Sequence, residues 1–238
     1  MHDTAPHVIR LDGLGNAEFL SRYAAPGRIG LCGGSDAVTM AIRRAQGFVT
    51  EDGHRSPWSH AFLFTGERAD GHHWVIESDL DLRSRNLRLG VQENRLDRYF
   101  DDEAFPNLAV LDFGLDADGT RRVLCQALDL VAGASHYSLK EILGTLFALP
   151  SSSLRKRRNL LASEGALYCS AMVQHCFEAV DLRFRPHIDG KNLTPHDIAR
   201  AELPHTAWQL LREPQPGQKT RLRRYREAGQ SLLAALSA

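Results

Sequence analysis

The feature that most constrains the fold is a hairpin signal at residues 56–82, SPWSHAFLFTGERADGHHWVIESDLDL. Large apolar residues alternate with smaller ones from Trp58 to Phe64, and a second apolar run begins at Trp74. A glycine-bounded loop at 66–71 separates the two runs. Alternation with a period of two on both sides of a short loop predicts two antiparallel strands.

The register of this hairpin places two chemically useful side chains together. If Thr65 pairs with His72 across the loop, His60 lies directly opposite Glu77 on the same face of the sheet. A carboxylate then sits beside an imidazole. A slip of one residue would move Glu77 to the other face, so this prediction depends on the register.

The second informative segment is EGALYCSAMVQHCF, residues 164–177. Apolar residues recur there at intervals of three and four, which predicts a helix over 168–180 with Cys169 in its first turn. The positive end of a helix stabilises a thiolate and lowers the pKa of a cysteine, the more so beside a histidine. Spacing alone leaves two interpretations open: a nucleophile, or a buried core cysteine, which is the commoner case.

Composition limits the partners and the compartment. The 238 residues include 29 basic and 29 acidic side chains, so no overall field favours nucleic acid. No stretch approaches the ~20 apolar residues of a membrane span, and the N-terminus lacks the pattern of a secretory signal. We therefore expect a protein that is cytoplasmic as synthesised, or exported by a route without a cleaved signal. The four cysteines are too scattered for a disulfide scaffold.

The remaining patterns predict ordinary elements. We expect helices at 17–25 and 120–133, from Ser138 and from Thr194, a buried strand at 108–113, and a basic helix at the C-terminus. The glycine-rich stretch PGRIGLCGGSD matches no phosphate-binding pattern. No metal-ligand spacing occurs among the histidines, and no G-x-S-x-G elbow is present, so we expect no metal, no cofactor and no serine nucleophile.

Several motifs in order resemble one known family. PWSHAFLF, HHWVIES, SHYSLKEIL and ALYCSAMVQHCF are similar to segments of the circularly permuted NlpC/P60 cysteine hydrolases. This papain-like group includes the YaeF/YiiX-type proteins and is related to the lecithin:retinol acyltransferase fold. In ordinary NlpC/P60 enzymes the nucleophile helix precedes the histidine strand. Here the histidine strand comes first, which is the permuted order.

The resemblance implies roles for individual residues. Cys169 falls on the family's nucleophile, His60 on its catalytic histidine, and Glu77 on the third residue that orients the imidazole. Tyr168 and Ser170 flank Cys169 as in the family and are expected to contact substrate. Tyr137, which precedes the capping box at Ser138, is expected to line the substrate cleft. A packed core tyrosine is the alternative for Tyr137.

The resemblance also implies the architecture. It predicts an α+β, papain-like fold in which an antiparallel, barrel-like sheet packs against helices and the nucleophile lies on a late helix. We expect a helical lead-in at 1–25, a catalytic domain at 26–204 and a basic helical extension at 205–238.

The implied activity is that of a cysteine hydrolase that cleaves an amide through a thioester. The favoured substrate is a peptidoglycan peptide, and export as an antibacterial effector would add an inhibitor or immunity protein as a partner. An acyl-lipid amidase, esterase or acyltransferase is the first alternative. A catalytically silent papain-like binding module is the second.

Overall fold

The structure, a computed structural model, describes residues 6–50, 53–80, 89–133 and 169–212. The helix predicted from Ser138, the basic C-terminal helix, Tyr137 and Tyr168 lie outside the described residues.

In the part of the chain that the structure describes, the strands form one sheet of seven in the order β1-β7-β6-β2-β3-β4-β5. The strands are β1 (His7–Leu11), β2 (Ile29–Gly33), β3 (His60–Glu67), β4 (His73–Leu80), β5 (Leu89–Arg95), β6 (Asn107–Asp112) and β7 (Thr206–Leu211). Neighbouring strands run antiparallel except β1 and β7, which are parallel. With its helices, this mixed sheet makes an α+β fold.

Two architectural predictions need correction. The sheet is mixed rather than antiparallel, and among the described residues it is open, with β1 and β5 at its ends, rather than barrel-like. The predicted boundary at 205 falls just before β7, which lies between β6 and β1 inside the sheet. The N-terminal segment likewise contributes β1 besides its helix. β1 and β7 are short, and they pair with each other although they are far apart in the sequence, so no local hairpin pattern predicts them.

The predicted hairpin is confirmed as β3 and β4, but its register differs by two residues. Leu63 faces Ile76 and Phe64 faces Val75, and the register then shifts at Thr65 before Gly66 faces Trp74. Beside the turn the difference is three residues, because the strands continue into the predicted loop and Glu67 faces His73. The irregularity at Thr65 reduces this difference to two, which loop length alone does not reveal. A shift of two residues keeps every side chain on its face, so His60 and Glu77 remain on the same side as diagonal neighbours.

Among the described residues, five α-helices accompany the sheet: α1 (Asn16–Tyr23), α2 (Ala37–Ala45), α3 (Ala117–Ala132), α4 (Cys169–Glu178) and α5 (Pro195–Ala199). The predicted helices at 17–25, 120–133 and 168–180 thus appear as α1, α3 and α4. The helix predicted from Thr194 is α5, and Thr194 and Asp197 form a reciprocal capping box at its start.

Helices cover both faces of the sheet. On one face, α3, α4 and α5 pack through Val123, Met172 and Ile198 against β2 and β3. On the other face, Phe19 and Leu20 of α1 share a core with aromatic side chains of β3 and of the turn after β5. The site described below lies where α4 meets β3.

Close packing on the second face requires a glycine in β2. The Phe62 ring lies over Gly30, where an added Cβ would come within 2.1 Å of the ring. That position lets Phe62 stack on Tyr99 with ring centroids 4.3 Å apart and planes within 7° of parallel. Tyr99 is thereby held beneath β3 and β4.

Candidate active site

The thiol of Cys169 lies at the first residue of α4, as the helical spacing predicted. Met172, Val173 and Phe177 anchor this helix, because all three are fully buried in the core against the sheet. Cys169 itself keeps 9% of its surface exposed. The rigid helix therefore presents the sulfur at the edge of the core rather than inside it.

The imidazole of His60 stands at the first residue of β3 and reaches Glu77 on β4. His60 Nε2 donates to Glu77 Oε2 over 2.7 Å. The His60 side chain is 14% exposed, whereas Glu77 is completely buried. The predicted pairing of these two residues is confirmed, although they are diagonal neighbours and not directly opposite. Because Nε2 is engaged by the carboxylate, Nδ1 is the ring nitrogen left for the thiol.

Strands β3 and β4 separate at this end of the hairpin. On one side, β3 pairs with β2 as far as His60, which faces Cys32. On the other side, the described pairing with β4 begins only at Leu63 and Ile76. The first turn of α4 lies at this opening, where Cys169 interacts with His60. The three predicted residues are thus brought together by two strands and one helix.

The Glu77 carboxylate is held by four donors, only one of which is His60. Oε2 also accepts from the hydroxyl of Tyr99. Oε1 accepts from Asn94 Nδ2 at 2.7 Å and from Arg98 Nη1 at 2.5 Å. A buried carboxylate is costly unless it is paired and hydrogen-bonded, and here a guanidinium and three further donors meet that need.

Sequence reasoning missed Asn94, Arg98 and Tyr99. They come from β5 and from the 3-10 turn at 96–99 that follows it. Asn94 faces Val75 across the β4–β5 pairing. It lies two residues along β5 from Gln92, which faces Glu77. Recognising β5 as the strand beside Glu77 would have placed Asn94 on the correct face, but no local pattern indicates that the following turn folds back under the carboxylate.

The charges of the three central groups depend on one another. Burial alone raises the pKa of Cys169, but the charge and hydrogen bond of His60 outweigh it, so the pKa is lowered. Burial alone lowers the pKa of His60, but interactions with Cys169 and Glu77 raise it well above its usual value. Burial also opposes ionisation of Glu77, whose partners His60, Arg98 and Tyr99 nevertheless lower its pKa to about 2. The arrangement favours a thiolate, an imidazolium and a carboxylate.

Cys176 provides an internal contrast on the same helix. It lies two turns further along α4, fully buried, with its sulfur 3.8 Å from the Met172 sulfur. Burial raises the pKa of this thiol to about 12. Cys176 therefore stays protonated at neutral pH, whereas His60 lowers the pKa of Cys169, and this difference distinguishes a core cysteine from a candidate nucleophile.

Of the residues expected to contact substrate, only Ser170 is described. Its side chain is fully buried, with Oγ 3.9 Å from the Cys169 sulfur. This burial does not agree with a direct substrate contact; the hydroxyl instead acts on the thiol, whose pKa it helps to lower after the larger effect of His60.

Within residues 6–50, 53–80, 89–133 and 169–212, no three His, Cys, Asp or Glu side chains are grouped as a metal site. No helix in these ranges combines the length and apolar character needed to cross a membrane.

Comparison with known proteins gives matches among solved structures. No family model matches the chain. No curated protein matches it either. Among solved structures, it is similar to the metalloprotein YiiX from Escherichia coli O157:H7, a DUF1105 protein, with 14% identity and a TM-score of 0.49. The alignment covers 81% of this chain and 99% of that one.

Proposed function

We propose that this protein is a cysteine hydrolase that cleaves an amide bond, with Cys169 as nucleophile, His60 as general acid and base, and Glu77 as the residue that orients the imidazole. The observation that carries the proposal is the placement of a helix-start thiol and a buried carboxylate on the same imidazole. A histidine with a purely structural role in a core does not need both a thiol and a carboxylate as partners. A thiol, an imidazole and an orienting acid in series are the parts of a cysteine nucleophile site.

The reaction would follow from these roles. The Cys169 thiolate, its proton held by His60, attacks the amide carbonyl carbon and forms a tetrahedral oxyanion. The C–N bond then breaks, and the leaving nitrogen takes the proton from His60, which leaves a thioester on Cys169. Water, losing its proton to His60, attacks the thioester and releases the acid. Glu77 keeps the ring oriented and stabilises each imidazolium.

The motifs that carry Cys169 and His60 resemble the circularly permuted NlpC/P60 hydrolases, and their order along the chain is the permuted one. That resemblance favours peptide amides of peptidoglycan as the substrate. It also supports treating the protein as an amidase or endopeptidase of the bacterial cell wall.

The test uses peptidoglycan sacculi and soluble muropeptides, with products separated by mass. The parent, Cys169→Ala and a control variant, Cys125→Ala, are compared, because Cys125 is an exposed cysteine on α3. Cleavage by the parent and the control but not by Cys169→Ala supports the proposal and identifies the bond.

Two other outcomes would change it. Cleavage of acyl-lipids but not of wall material would retain the hydrolase and replace the substrate. Failure on both substrates, together with a Cys169 thiol no more reactive than Cys125, would refute the enzyme and favour a binding module.

A further inference from the structure

The backbone at the start of β3 faces the opening between β3 and β4. Phe64 N–H donates to Arg28 O, on the β2 side of the strand, at 3.0 Å. Because successive N–H groups of a strand point to opposite sides, Ala61 N–H points the other way, toward β4. The described β4 pairing begins only at Leu63, so no strand among the described residues pairs with Ala61 on that side.

The start of α4 lies near this opening, because the helix contacts both β3 and β4. Ala61 packs in the same core as α4, and its N–H acts on the Cys169 thiol, whose pKa it helps to lower after the larger effect of His60. His60 is the preceding residue, so two consecutive residues of β3 provide the imidazole and the backbone amide that act on the thiol. The end of the β3–β4 ladder thus leaves a donor where the nucleophile needs one.

We propose that the backbone N–H of Ala61 is a catalytic group that holds the Cys169 sulfur as a thiolate and stabilises it again when it leaves the thioester. The inference deepens the proposed function and depends on it. Hydrogen bonds to charged acceptors are stronger than those to neutral ones, so this donor favours the ionised sulfur over the thiol.

The donor also has a defined place in the second half of the reaction. When water adds to the thioester carbonyl, its proton passes to His60. The C–S bond then breaks and its electron pair stays on sulfur. Negative charge develops on the sulfur in this step, and a fixed backbone donor stabilises it without reorganising. Loss of the donor should therefore slow thioester hydrolysis as well as reduce the thiolate population.

The test replaces the Ala61 amide by an ester, with lactic acid in place of alanine, so that the N–H becomes an oxygen and the side chain is unchanged. The matched control is the same replacement at Leu63, whose N–H points to the same side of β3 but lies within the β4 pairing. An ester carbonyl accepts hydrogen bonds less well than an amide carbonyl. Both replacements therefore also weaken, as an acceptor, the carbonyl of the preceding residue, which points toward β2. Alkylation of each cysteine by iodoacetamide is followed by mass spectrometry between pH 5 and 9.

We expect the Ala61 ester to lower the Cys169 alkylation rate at pH 6 about tenfold, the low end for a hydrogen bond to a charged group. The Leu63 ester should alkylate at the parental rate. An unchanged rate in the Ala61 ester, or an equal loss in both esters, would overturn the role of Ala61 while leaving the hydrolase intact. A parental Cys169 that reacts no faster than Cys125 would instead refute the proposed function itself.

Discussion

Replacing Glu77 by glutamine tests the site at its most buried charge. The change keeps the shape of the side chain but removes the negative charge and converts one acceptor oxygen into a donor amide. Four donors meet the carboxylate in the parent, from His60, Tyr99, Asn94 and Arg98. In Glu77→Gln the imidazolium of His60 loses its charged partner, and the thiolate of Cys169 loses the imidazolium that favours it.

The magnitude follows from the bond that is lost. A hydrogen bond involving a charged group contributes about 1.5–3 kcal/mol, which corresponds to about a 10- to 150-fold change in an equilibrium. The pKa of His60 is raised in the folded protein, so the imidazolium is fully present below its ordinary pKa and is lost as pH rises through the raised value. We therefore expect alkylation of Cys169 at pH 6 to slow by about 10- to 150-fold in Glu77→Gln.

The assay measures the alkylation rate of Cys169 against pH, with near-ultraviolet circular dichroism to verify the fold. Glu93→Gln is the matched control, because Glu93 is an ion-paired carboxylate on β5 whose partner is Arg68 and not His60. It should alkylate at the parental rate. A folded Glu77→Gln variant whose Cys169 reacts at pH 6 as fast as the parent would refute the assignment of Glu77 as the orienting residue.

Three further predictions concern the supports of the site and of the fold. Tyr99→Phe removes the hydroxyl that donates to buried Glu77 and should lower the free energy of unfolding by about 1.5–3 kcal/mol in urea titrations; an unchanged midpoint would contradict this. Gly30→Ala places a methyl 2.1 Å from the Phe62 ring, so we expect a loss of about 1–3 kcal/mol by the same measurement, whereas parental stability would show that the ring can move freely. Burial lowers the pKa of His205, so its contribution to stability is present above its ordinary pKa and is lost as pH falls through the lowered value. The stability of His205→Asn should accordingly fall less between pH 7.5 and 5.5 than that of the parent, and equal losses would argue against this role.

Local patterns were sufficient for the elements that hold the three candidate catalytic residues. The period of two identified β3 and β4, and the three-and-four spacing identified α4 with Cys169 at its start. The register was wrong because the strands continue into the predicted loop, so that Glu67 faces His73. The irregularity between Phe64 and Gly66 then reduces the error from three residues to two. His60 and Glu77 still met, because an error of two residues preserves the face.

Long-range features were not predictable from the same patterns. Two donors to Glu77, Arg98 and Tyr99, come from the turn after β5, and its position depends on packing of Tyr99 against Phe62. The parallel pairing of β1 with β7 joins two strands of five and six residues from distant parts of the chain. Neither segment carries information about its partner, so only the assembled sheet reveals the pair.

The position of β7 imposes an order on folding during synthesis. About 200 residues separate β1 from its partner, and at about 5–20 residues per second the ribosome needs roughly 10–40 s to make them. Throughout that interval β1 has no strand to pair with, and β6, once made, lacks its neighbour on one side until β7 follows. Because such distant pairings also fold slowly, the nascent chain carries open strand edges until Leu211 has been added. A chaperone that shields these edges would act on the chain before the sheet that carries His60 is complete.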